Sequence, residues 1–408
     1  MFDSFFPKPK LFFLSAFLWF LVALAIWHLG LDELAERFAL LGRDLPELAE
    51  GERAPFMTAA KSWVYQYIVG TSILFCIAWA FFGRNRWFVW SVVGSTIIMV
   101  FTYFMVQISV WMNNWFGEFY DLIQVALAEP NAVSIEEYVG QISTVLYILI
   151  PTILARVLFS YFVSHYVFRW RTAMNEYYMS HWAKLRHVEG AAQRVQEDTM
   201  RFAGIMENLG SAFVSSIMTL IAFLPLLWNL SKQITELPVV GHVDGSMVFV
   251  ALISAIFGTV LLALVGIKLP GLEFQNQRVE AAYRKELVYG EDNVGRADPP
   301  SVTELFGAVR KNYFRLYFNY LYFNVFRYAY LQGAALIPYI ALGPTIVAGA
   351  ITFGLFQQIL QAFGQVENSF QYLVNSWTTI VELISIYKRL KAFESVIDGD
   401  AGDALITA

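Results

Sequence analysis

Long stretches without Asp, Glu, Lys or Arg dominate the chain: Leu11 to Trp27, Ser62 to Phe82, Trp87 to Gly117, Asn208 to Ser231 and Gly245 to Ile267. A helix crosses a ~30 Å hydrocarbon core with about 20 residues, so each stretch is long enough once tilt is allowed for. Tyr138 to Phe168 is broken only by Arg156, and Leu316 to Val366 only by Arg327. Within the latter, Ala341-Leu342-Gly343-Pro344 reads as a turn between two helices. The pattern predicts about eight crossings, with 345–387 as one long final helix. Segments 169–204 and 268–298 are rich in helix formers and free of Pro over most of their length, so they read as membrane helices continuing into the cytosol.

Charge fixes the direction. With the N-terminus inside, twenty-one of the 28 Lys and Arg fall in cytoplasmic segments, five fall on the other side, and Arg156 and Arg327 lie within spans. The positive-inside bias therefore puts both termini in the cytoplasm. The first apolar stretch is followed by no small-residue cleavage site and reads as a retained anchor. The 30–62 loop, with Asp32, Glu33, Glu36, Glu47 and Glu50 among Leu and Ala, reads as an amphipathic helix at the outer surface.

Composition agrees. Of 408 residues, 57% are hydrophobic and 15% charged, against roughly 45–50% and 25% in soluble domains. Twenty-eight basic residues against 33 acidic ones give no basic footprint for nucleic acid. Cys76, the single cysteine, leaves no material for disulfides or thiolate metal sites.

Chemistry is sparse. A GxxxxGK[ST] phosphate loop is absent, since no Gly-Lys pair occurs, and GxSxG, HExxH and CxxC are absent too. His187-Val188-Glu189 lacks the PCxxC partner of a zinc deaminase. No catalytic residue, metal site or cofactor is expected, and the chain is not read as an enzyme. Ionisable groups within the apolar stretches stand out instead: Arg156, Arg327, Glu207 and Glu367. Glu207 reads either as a functional carboxylate or as a helix-start residue favoured by the macrodipole. Arg156 and Arg327 pair with carboxylates, snorkel, or line a wet cavity. The aromatic stretch Tyr317 to Tyr330, with Tyr320, Asn324 and Arg327, is a candidate cavity wall or a lipid-facing helix. With Arg156 and Glu367, these residues form the candidate substrate cavity.

Glu273, Glu280 and Glu291 fall at offsets of 7 and 11 residues, nearly whole helical turns, so they share one face. Such a stripe either handles protons or is a solvated face pairing with Arg278, Arg284 and Lys285.

Several longer segments carry a resemblance: FFPKP at 5–9, FVSHYVFRWRTAMNEYYM at 162–179, EGAAQRVQEDTMRFA at 189–203, GIKLPGLEF at 266–274, NQRVEAAYRKELVYGED at 276–292, VRKNYFRLYF at 309–318 and NSWTTIVELISIYKRL at 375–390. Together they resemble the SbmA/BacA peptide-transporter family across almost the whole chain. The resemblance implies an all-α polytopic fold similar to the membrane domain of ABC exporters, without the nucleotide-binding domain. It divides the chain into anchor helices over 1–83, a six-helix core over 84–394 and a tail over 395–408. It further implies a homodimer in the bacterial inner membrane that imports peptides and peptide-derived antibiotics on the proton-motive force, needing no ATPase subunit. Glu207, Glu280 and Glu291 then stand as coupling carboxylates, with Glu273 extending the stripe. Two alternatives are a membrane subunit that recruits a separate ATPase and a protein handling very-long-chain fatty acids of lipid A.

Overall fold

The structure is a computed structural model that describes residues 1–31, 58–188, 190–238, 240–293 and 295–398. Most of the expected amphipathic helix over 30–62 and most of the 395–408 tail lie outside them. The described chain is helical, and its one bridge joins Leu237 to Gly241. Its principal helices are α1 (Pro9–Ile26), α2 (Ala59–Phe82), α3 (Ser95–Ala128), α4 (Ile135–Ser180), α5 (Thr199–Ser231), α6 (Ser246–Gly266), α7 (Leu269–Asp292), α8 (Pro299–Val347), α9 (Phe353–Phe370) and α10 (Trp377–Asp398). Among the described residues, seven helices are long and apolar enough to cross a membrane. They are α1 to α6 and α8, and the protein is an all-α polytopic membrane protein.

Two expectations about the C-terminal third change. The turn placed at Ala341–Pro344 is absent, and α8 runs through Pro338 and Pro344 to Val347. Its last turn is held from outside the helix, because Thr345 is fully buried and bonds Thr235 through both the backbone N–H (3.3 Å) and the hydroxyl (3.2 Å). The chain turns only at Ala348–Ile351, where Gly349 has φ 63°. The eighth crossing over 345–387 is not one helix either, since the path breaks at Gly349, at Gln371 and at Ser376. Gln357, Gln358, Gln361, Gln365, Glu367 and Asn368 make α9 too polar to count with the seven.

The 169–204 segment also differs from a plain extension. After α4 ends at Ser180, two short turns, Trp182–Leu185 and Ala191–Gln193, and a π turn, Arg194–Asp198, lead into α5. By contrast 268–298 is helical nearly throughout as α7. At 46 and 49 residues, α4 and α8 are about 70 Å long at 1.5 Å per residue, over twice the bilayer core.

The chain packs as two compact units, one formed by Met1–Trp115, Pro130–Met218 and the stretch from Glu382, the other by Phe116–Glu129 and Thr219–Val381. The first is built on an aromatic core. Phe5 and Phe6, both buried, lie among Trp87, Tyr166, Trp170 and Phe202, and Phe5 stacks on Trp170 at 5.5 Å. Pro9 in the first turn starts α1 directly after these rings. Polar side chains tie α1 to α2 inside the apolar region: Tyr67 donates to the Ala23 carbonyl (2.6 Å), Trp79 to Ser15 (3.0 Å) and Trp19 to the Thr71 carbonyl (3.1 Å).

In the second unit, α7 and α8 form an antiparallel hairpin. Leu269 and Leu272 meet Leu316 near its base, Asn312 donates to Asn276 at 3.2 Å in the middle, and Tyr283 meets Phe306 at 5.6 Å toward the tip. At the tip, Glu286 accepts from the Ala297 N–H (3.1 Å) and pairs with Arg296 (3.3 Å). Asp298 caps α8 through the Ser301 N–H. Gly290 is required there, since a Cβ would overlap that of Ala297. The end of α3 caps α9 in turn, with Asp121 accepting from the Gly354 N–H at 2.8 Å and Gln124 from that of Phe353 at 2.7 Å.

Candidate functional site

The acidic stripe sits on one continuous helix. Glu273 and Glu280 are half-buried and Glu291 is exposed. All three flank the seam that α7 forms with α8, and Glu273 lies within electrostatic reach of Tyr320 on α8. The shared face is as the spacing requires, but its members are well separated. At 1.5 Å per residue the gaps are about 10 Å and 16 Å, at or beyond a screening length of about 8–10 Å, so direct mutual repulsion is weak. Arg296 pairs with Glu286, which lies off the stripe, and Lys285 lies over the Tyr289 ring at 5.7 Å.

Glu207 is not a helix-start carboxylate. α5 begins at Thr199 on a π turn that starts at Arg194, so Glu207 lies two turns inside, past the reach of the macrodipole. It is half-buried and bonds the Ser211 hydroxyl. Arg156 is exposed on this chain, its Nε 3.4 Å from the Met105 sulfur. Arg327 is exposed and Asn324 and Tyr320 are half-buried on α8. Within the second unit, Tyr320 lies within electrostatic reach of Glu273.

Glu367 of α9 stands in a polar cluster with Ser254 of α6 and Tyr330 of α8, two helices long and apolar enough to cross a membrane. The Ser254 hydroxyl donates to its Oε1 at 2.6 Å. Tyr330 Oη lies 3.4 Å from the same oxygen and 3.1 Å from the Ser254 carbonyl. Gln371 Nε2 donates to Oε1 at 3.3 Å and also to the Tyr330 hydroxyl. Ser254 is eight residues into the 21-residue α6, about 12 Å from its start and close to its middle. Gly258, one turn on, admits the ring, because a Cβ there would overlap Tyr330 Cζ. An ionised carboxylate at mid-helix in lipid costs about 2.5–3.5 kcal/mol on insertion scales, and three donors offset part of this. Sequence reasoning found Glu367 and, at the end of the aromatic stretch, Tyr330, but missed Ser254 and Gln371. The Ser254–Gly258 pair at i, i+4 on an otherwise apolar helix was the available signal.

A second arrangement went unread in the sequence. Arg389 on α10 holds Asp198 bidentately, Nε to Oδ2 at 3.0 Å and Nη2 to Oδ1 at 2.7 Å, and its Nη1 bonds Ser385. Asp198 is 3% exposed, and its hydrogen bonds hold the guanidinium above its ordinary range. Arg201 joins Glu197 (3.0 Å) to Glu382 (3.2 Å) beside it. Leu390 and Phe393, fully buried, close the same contact.

Comparison with known proteins places these features in a family. The model of the SbmA/BacA-like family matches residues 84–398. The chain belongs to this family. The match takes in the acidic stripe, Glu207, the Glu367 cluster and the Asp198–Arg389 pair. Curated relatives of this SbmA/BacA-like chain include an inner membrane ABC transporter ATP-binding protein of Escherichia coli K12, 24% identical over 76% of the chain and 58% of the relative. An uncharacterized ABC transporter ATP-binding protein of Synechocystis is 24% identical over 78% of the chain and 48% of the relative. ABC transporter D family member 2 of Arabidopsis thaliana is 21% identical over 57% of the chain and 33% of the relative. The chain thus spans about half the length of the first two. The names of these relatives are those of ABC transporter proteins.

Proposed function

We propose that this SbmA/BacA-like protein imports peptides and peptide-derived antibiotics across the bacterial inner membrane, as a homodimer with both termini cytoplasmic, driven by the proton gradient. The family match over 84–398 carries this reading. Carboxylates placed along the α7–α8 seam and inside the apolar helices support it, because a proton-driven cycle needs groups that bind and release protons within the transport path. A peptide enters a cavity between two protomers, and proton binding favours the inward-facing state. Specificity is loose, since Tyr, Phe and Trp in number offer adaptable apolar contacts.

A second reading is favoured by the names of the relatives: an ABC-type membrane component working with an ATPase. Within these 408 residues no Gly-Lys pair, hence no phosphate loop, occurs. Handling of very-long-chain fatty acids is a weaker third reading. Uptake of a fluorescently labelled peptide into ATP-depleted vesicles under an imposed pH gradient separates the first two. Gradient-driven uptake that a protonophore abolishes is the expected result. Uptake that ignores the gradient and requires ATP overturns the proposal in favour of the ABC-type reading.

A further inference from the structure

The Glu367 cluster has more polar groups than a packing contact requires, and they meet where three helices run together. We propose that Glu367, with Ser254, Tyr330 and Gln371, forms a proton-binding site in the membrane interior, whose occupancy sets the hydrogen bonding that joins α6 and α8 to α9. The proposal rests on the gradient-driven reading above and names one place where the proton binds.

Each donor in the cluster fits both protonation states. Among the described residues, every hydrogen bond to the Glu367 carboxylate runs to Oε1. Oε2 is therefore open to a proton without displacing a donor. Tyr330 has a single hydroxyl proton and two acceptors in reach, Glu367 Oε1 at 3.4 Å and the Ser254 carbonyl at 3.1 Å. While Glu367 is ionised, the phenol, the serine and the glutamine amide all serve the charge. Once it is protonated, Tyr330 turns to the carbonyl on α6 and the glutamine amide still serves the phenol oxygen. Ser254, Tyr330 and Gln371 each keep an acceptor in either state, so the proton exchanges one bond between helices for another. Binding forms one O–H bond at the carboxylate, and release returns the proton to water.

The surroundings keep this change electrostatically visible. α6 has no ionisable side chain from Ser246 to Gly266, and Glu367 is the one charged residue of α9. On α8, Tyr330 faces the carboxylate, while Arg327, one turn earlier, is exposed. Tyr372 follows Gln371, and Asp121 of α3 caps the far end of α9, about 20 Å away along the helix. No cation among these residues bonds Glu367 and takes over the role of the proton.

The test uses the full chain in phosphatidylcholine vesicles with the proton as the probe. Infrared difference spectra on acidification should show a protonated-carboxyl band that is absent in Glu367→Gln. Ser254→Ala should move that band to higher frequency, because the carbonyl oxygen loses its shortest donor. Tyr330→Phe should move it less, since in the protonated state the phenol serves the Ser254 carbonyl and reaches the carboxyl only through Gln371. Should Glu367→Gln fail to fold, the frequency shifts in the two milder variants decide. A spectrum unchanged in folded Glu367→Gln, or in both milder variants, overturns the site. Peptide uptake is measured alongside, and Glu367→Gln should lower the gradient-driven rate at least tenfold. Wild-type uptake indifferent to the gradient would defeat the transport reading, whereas the infrared band decides the site by itself.

Discussion

At the residue scale, the strongest test of stability is the Asp198–Arg389 pair. Removing one partner of a fully buried ion pair costs about 3–5 kcal/mol, because the other charge stays desolvated. Arg389 is 36% exposed, so water recovers part of that and Asp198→Ala should cost about 2 kcal/mol. Thermal unfolding in detergent should show the loss, and Arg389→Lys should be intermediate because an ammonium cannot make the bidentate contact. A stability equal to wild type in both would mean that the apolar contacts of Leu390 and Phe393 hold α10 alone. Asp298 gives a pH-dependent case at the hairpin tip. Its hydrogen bonds from Ser301 hold the carboxyl below its ordinary value of 3.8. A lowered folded-state value means that the cap is fully present above pH 3.8 and is lost as pH falls through the depressed value. Amide exchange at Ser301 should stay protected down to about pH 4 and rise below it, and in Asp298→Ala it should be fast throughout.

At the element scale, helices were legible wherever local pattern suffices, and the places that were not depend on long-range partners. The charge-free stretches became helices, and the offsets of Glu273, Glu280 and Glu291 placed them on one face of α7 as a 3.6-residue period demands. The continuation of α8 through Pro344 was not legible, because it depends on a bond to Thr235 more than a hundred residues away. Glu207 was misplaced relative to its helix start because the π turn at Arg194–Asp198 has no sequence signature. Distance along a helix, in contrast, is arithmetic, and it bears on the stripe. Carboxylates about 10 Å and 16 Å apart act independently. The unfolding shifts of Glu280→Gln and Glu291→Gln should therefore add in the double variant to within about 0.5 kcal/mol. An excess beyond that would mean that the stripe is coupled through an intervening group. For transport the expectation differs: each of Glu207→Gln, Glu280→Gln and Glu291→Gln should abolish gradient-driven uptake while leaving expression intact, since Gln keeps the volume but carries no exchangeable carboxyl proton. Full activity in all three would dismiss proton coupling through these residues.

At the scale of the whole molecule, the two exposed arginines set the argument. Arg156 lies in the apolar part of α4 and Arg327 in that of α8, and both are exposed on a single chain. Facing lipid at the helix centre would cost each about 2.5–3.5 kcal/mol. A second copy of the chain, enclosing a wet cavity with the first, would hydrate them and remove most of that cost. On the proposed reading the same arrangement would provide the pathway for peptides, with each protomer contributing half of the helices. Native mass spectrometry from nanodiscs should therefore give a mass of two chains. Replacing the charge should weaken the reason to pair: Arg156→Leu with Arg327→Leu should raise the monomer fraction, because leucine sits in lipid without penalty. A wild-type particle of one chain that still moves a labelled peptide down an imposed pH gradient would defeat the dimer and leave the proton-driven reading in place.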